Sequence, residues 1–131
     1  MDEGEAMAFS EAWLAAWTGN RPEALLAYYS EDAFYRDPGR PQGLRGAAQL
    51  RPYFEKLLAA NPAWEWRAVE THPTPKGFTL KWHARILAGD NVVEEDGLDI
   101  VEVSGGRITR NEVYFDRSAL LMAHAAKRVG A

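Results

Sequence analysis

Chemistry in this chain must come from carboxylates, histidines, tyrosines and tryptophans, because it contains no cysteine. A thiolate nucleophile, a thiolate metal site and a disulfide are all excluded. His72, His83 and His124 lie far apart and fall on different expected elements, so no metal site is expected. No glycine-rich phosphate loop follows a strand, which leaves nucleotide binding unsupported. The carboxylates remain. Glu94-Glu95-Asp96 reads as the solvated flank of a hairpin. Glu95 shares strand parity with Asp99, and the same parity puts Asp99 on one side with the apolar Val101 and Val103. Burial there would raise its pKa. In the last strand Asn111 shares a side with Val113 and Phe115, where it could serve as a neutral donor. Asp37, just before Pro38, can bond its own backbone as a turn residue. Five Trp, five Tyr and five Phe are many for a small core, and such rings either pack it or line a ligand cavity.

The positions of these residues follow from periodicity and breakers. Phe9, Trp13 and Trp17 recur every four residues, which predicts a helix over 5–18 ended by Gly19. Asn20 would cap a second helix that starts near Pro22 and runs to about Tyr29. Residues 33–37 read as a short strand, and Pro38, Gly39, Pro41 and Gly43 as a loop. A third helix lies within 47–60, with Pro52 favouring a late start near Gln49. Four strands are then expected over 64–71, 78–87, 92–103 and 107–116, with hairpin turns at Gly89-Asp90-Asn91 and Ser104-Gly105-Gly106. A closing helix over 118–128 would be capped by Asp116.

This order predicts one α+β domain over residues 1–131: a cone-shaped, curved antiparallel sheet packed on three helices around an apolar pocket, with a C-terminal helix. A chain of 131 residues buries roughly two-thirds of its unfolded surface, enough for a core. The net charge of −4 and the absence of a dense Lys/Arg cluster argue against nucleic acid as a partner. No apolar run approaches the ~20 residues of a membrane helix, and the acidic Met1-Asp2-Glu3-Gly4-Glu5 is unlike a signal peptide, so a cytoplasmic protein is expected. The outward Leu98 and Ile100 suggest a covered outer sheet face and hence a homodimer.

The pattern resembles the nuclear transport factor 2-like superfamily, and within it the SnoaL-like, ketosteroid isomerase-like branch. The resemblance rests on Ala12-Trp13 before Gly19-Asn20, on Tyr29 through Pro38, on Gly43-Leu44-Arg45-Gly46, on Gly97-Leu98-Asp99, and on Gly106-Arg107-Ile108 with Tyr114-Phe115-Asp116. It covers nearly the whole chain. From the ketosteroid isomerases it implies a catalytic base at Asp37, in an Asp-Pro pair ending the first strand, and a second acid at Asp99. The family's oxyanion tyrosine is replaced by Ala12, and its supporting tyrosine by Phe54 with Tyr53 adjacent, which argues against steroid isomerisation itself. The limonene epoxide hydrolases fit less well: their Arg-x-Asp motif would fall on Gly97-Leu98-Asp99, and their second Asp on Val113. The resemblance implies a cofactor-independent acid–base enzyme of isomerase, cyclase or dehydratase type. Asp37 would be the base and Asp99 a neutral acid or hydrogen-bond donor. Its ligand would be a small hydrophobic molecule held by Trp13, Trp17, Tyr35, Tyr53, Trp66, Trp82, Asn111, Val113 and Phe115. The alternatives are a non-catalytic binding module for such a ligand and a dimeric interaction protein.

Overall fold

The computed structural model describes residues 1–130, with side chains through residue 125. Helix α1 spans Glu3–Ala15. Its start is set by a capping box: the Asp2 carboxylate accepts from Glu5 N at 2.8 Å, and Glu5 Oε1 accepts from Asp2 N at 3.1 Å. The helix therefore begins before residue 5. It also ends before residue 18, and Gly19 and Asn20 turn the chain with φ of 89° and 52°. Asn20 does not cap α2, Pro22–Leu26, whose N-cap is Arg21 without a side-chain bond. The expected extension of α2 to Tyr29 is replaced by strand β1, Tyr29–Asp37. Its early start follows from its pairing with the last strand (Tyr29 opposite Ile108), and Ile108 N donates to Tyr28 O at 2.8 Å.

The expected loop after Asp37 folds as strand β2, Arg40–Arg45, antiparallel to β1. Its Pro41 is tolerated because β2 is an edge strand, where a missing N–H leaves no ladder bond unmade. Helix α3 spans Ala47–Ala60 and keeps Pro52 in its interior rather than starting at Gln49. Strands β3 (Glu65–Thr74), β4 (Gly77–Ala88), β5 (Asn91–Ser104) and β6 (Arg107–Tyr114) follow, then α4, Ser118–Gly130. Asp116 Oδ1 accepts from both Ser118 N and Ser118 Oγ at the start of α4.

The six strands form one sheet in the order β2-β1-β6-β5-β4-β3. It is not wholly antiparallel, since β1 runs parallel to β6. Helix α3 carries the chain from the β1–β2 hairpin to the far edge, and the meander β3 to β6 returns it beside β1. Register shifts at Ala68/Glu70 in β3 and Tyr35/Asp37 in β1 bend the strands, and the sheet curves around the helices. Phe54 of α3 is fully buried, with its ring 5.1–5.3 Å from those of Trp17, Tyr29 and Tyr35. No helix among the described residues is long and apolar enough to cross a membrane. Because Phe54 joins two rings of β1 and one from the turn after α1, Phe54→Ala should lower stability by about 3–5 kcal/mol in urea denaturation.

Candidate active site

Asp37 ends β1 at the register shift, with Arg40 as its partner across the hairpin. Its Oδ1 accepts from Gly39 N at 2.8 Å and Arg40 N at 2.9 Å, the expected turn bonds. Its Oδ2 accepts from Tyr35 Oη at 2.7 Å and Tyr53 Oη at 2.6 Å. Tyr35 reaches it because residues two apart share a strand face, and Tyr53 reaches it from α3. A carboxylate offers about four acceptor positions, so these four donors fill them. Burial, then hydrogen bonding to Asp37 and its charge, hold the Tyr53 hydroxyl well above the ordinary tyrosine pKa. Burial raises Tyr35 likewise, with the Asp37 charge as the next cause.

Asp99 lies on β5 between Leu80 of β4 and Val113 of β6. It is 4% exposed. Trp82 Nε1 donates to Oδ1 at 2.7 Å, and Asn111 Nδ2 to Oδ2 at 2.9 Å. Asn111 is oriented in turn by Tyr29, whose hydroxyl donates to Asn111 Oδ1 at 2.8 Å. The Trp82 indole passes over Gly97, its partner across β4–β5, and a Cβ there would lie 2.2 Å from the ring. Desolvation lifts the Asp99 carboxyl from 3.8 to about 7, against the lowering effect of its two donors and with a further push from the Asp37 charge.

Both carboxyls line one cavity of about 240 Å³, smaller than the ~300–1,000 Å³ typical of ligand pockets. Trp17, Tyr35, Tyr53, Trp66, Trp82, Val113 and Phe115 line it as well. Trp13 does not. It is fully buried in the core against Phe9 and Tyr29, and it parts from Trp17 because α1 stops between them. Asn111 is also outside the lining and meets the site only through Asp99. The sequence reading omitted Leu14, Leu57, Trp64 and Ile86 from the walls, and Asn61, Arg117, Leu120 and His124. Trp64 shares strand parity with Trp66, and Leu14 lies one helical turn before Trp17, so both were within reach of periodicity. Leu120 and His124 share one face of α4 and Arg117 immediately precedes it, and only the tertiary fold lays this segment across the cavity. His83 lies elsewhere, bonded to Asp96 at 2.8 Å and Glu94 at 3.0 Å; these carboxylates, Glu94 first, raise its pKa.

The raised Asp99 pKa has a definite sign in stability. The folded chain holds this proton between about pH 4 and about 7, where the unfolded chain has lost it. The stabilisation is complete below about pH 4 and is lost as pH rises through about 7. Urea denaturation from about pH 5 to 8 should therefore show stability falling in the wild type relative to Asp99→Asn. Parallel curves would mean that Asp99 titrates normally.

Residues 10–111 match the SnoaL-like domain model. No curated protein matches the chain in sequence. Among solved structures, a protein of ketosteroid isomerase-like fold from Catenulispora acidiphila, in complex with trimethylamine, is similar with a TM-score of 0.77 at 20% identity, over 89% of this chain and 92% of that one. An LEH-like epoxide hydrolase from M. tuberculosis is similar with a TM-score of 0.75 at 21% identity, over 98% of both chains. A SnoaL-like protein from Burkholderia thailandensis has a TM-score of 0.70 at 20% identity, over 88% of this chain and 98% of that one. These identities establish a common fold, and the domain match across residues 10–111 establishes more: the chain belongs to the SnoaL-like domain family.

Proposed function

We propose that the chain is a cofactor-independent acid–base enzyme acting on a small hydrophobic molecule, with Asp99 as the group that takes and returns the proton. One observation carries the reading: a buried carboxyl with a pKa of about 7 lines an apolar cavity. A proton carrier works best when its pKa lies near the working pH, and such a group supplies about 10²–10⁴-fold in rate. The family resemblance gives the base's part to Asp37, but hydrogen bonding favours exchanging the roles. The Asp37 oxygens already receive four donors, so Asp37 can accept a substrate proton only after a tyrosine hydroxyl turns away. In this reading Asp37 fixes the Tyr35 and Tyr53 hydroxyls at the cavity. Tyr53, half-buried, is the hydroxyl able to turn toward negative charge developing on a substrate oxygen.

Hydrogen–deuterium exchange at carbon beside a carbonyl tests this without a known substrate. In D₂O, wild-type protein should accelerate exchange in a panel of small ring ketones, neutral and amine-bearing, with a rate rising through about pH 7. Asp99→Asn should lose about 10²–10⁴-fold, and Asp37→Asn less. Ligand binding without exchange would instead favour the non-catalytic binding module, which the saturated Asp37 carboxylate also suits. The second proposal concerns assembly. Leu98 and Tyr114 are 48% and 41% exposed on the outer sheet face, and a second copy of the chain is the proposed cover. Sedimentation equilibrium should give a dimer at micromolar concentration, and Leu98→Glu should shift it to monomer.

A further inference from the structure

We infer that the cavity is an aromatic cage for an organic ammonium ion. This names the substrate class for the site proposed above and rests on that cavity being the working site, but not on turnover. The rings do not stack. Trp64 meets Trp66 at 83° with centroids 5.0 Å apart, Trp66 meets Trp82 at 74° and 4.8 Å, and Trp82 meets Phe115 at 71° and 5.5 Å. Successive rings near a right angle pack edge to face, so aromatic surface from four side chains surrounds one small space, a lining that suits a compact cation. All four line the cavity, and its small volume suits an alkylammonium head better than a polycyclic body.

The charges lining the same cavity point the same way. Asp99 and Asp37 are both buried, and neither forms an ion pair among the described residues. A neutral ligand leaves Asp99 to hold its proton, whereas a cation beside it favours the ionised carboxylate. An anion would meet two acids. An ammonium ion meets π-faces and a carboxylate together, and each contact strengthens as water leaves. Two cationic side chains line the cavity, Arg117 and His124; both are exposed, Arg117 lies at the Gly39 turn beside Asp37 and Tyr53, and neither pairs with Asp99 among the described residues.

Isosteres that differ only in charge test this. Choline and 3,3-dimethyl-1-butanol have the same shape, and isothermal titration calorimetry at about pH 8, where Asp99 is ionised, compares them. Choline should bind at least about tenfold more tightly. Asp99→Asn should erase most of that ratio. Phe115→Leu keeps apolar volume but removes a π-face, so it should weaken choline several-fold and spare the alcohol; it provides the test if Asp99→Asn fails to fold. Equal or tighter binding of the alcohol overturns the cation cage and leaves the acid–base proposal standing. Binding of neither, at any soluble concentration, likewise overturns the cage.

Discussion

Asp99 is a carboxyl placed where water cannot solvate it, and the centre of the sheet is arranged around that constraint. Burying an ionised acid without a partner costs several kcal/mol, so such a group either neutralises or finds donors. Here it does some of each. Its two donors are neutral, an indole and an amide, and they offset only part of the desolvation. The indole is available because β5 carries Gly97 where Trp82 crosses it. The amide is held in orientation by a tyrosine from β1. A lysine or arginine in place of either donor would fix Asp99 as an anion. Two neutral donors leave it able to change charge near neutral pH.

Asp37 shows the opposite solution with the same side chain. It receives two backbone N–H groups from its own turn and two phenol hydroxyls. Every acceptor position is filled, so its oxygens are satisfied by hydrogen bonds and not by a cationic partner. The two acids thus share a cavity but not an environment, and this inequality is what lets paired carboxyls divide acid, base and positioning roles. The charge of Asp37 also acts on Asp99 and helps hold its proton.

Much of this was legible in the sequence where period and parity govern. Alternation in β5 and β6 placed Asp99, Val101, Asn111 and Val113 inward, and all four are buried. What escaped was tertiary. Pro38, Gly39, Pro41 and Gly43 read as a loop because proline and glycine disfavour strands, yet an edge strand tolerates them. The four-residue spacing of Phe9, Trp13 and Trp17 promised one helical face. The left-handed turn at Gly19 and Asn20 follows the early end of α1, sending Trp17 to the cavity and leaving Trp13 in the core. The four donors of Asp37 could not be read locally, because Tyr53 arrives from α3.

The parallel pairing of β1 with β6 ties these parts together. Parallel neighbours need a long crossover between them, and here α3 with the β3–β5 meander supplies it. The register sets Tyr35 beside Asn111, so the strand that ends in Asp37 runs alongside the strand that serves Asp99. An antiparallel β1 would reverse that order: Asp37 would lie at the other end of β6, and the Tyr29 hydroxyl would no longer fall beside Asn111. The crossover also brings α3 back over β1, which delivers Tyr53 to one carboxylate and packs Phe54 between the tyrosines that serve both. The segment of chain that makes the sheet mixed is therefore the segment that makes the two acids unequal, and the chemistry available to the cavity follows from that inequality.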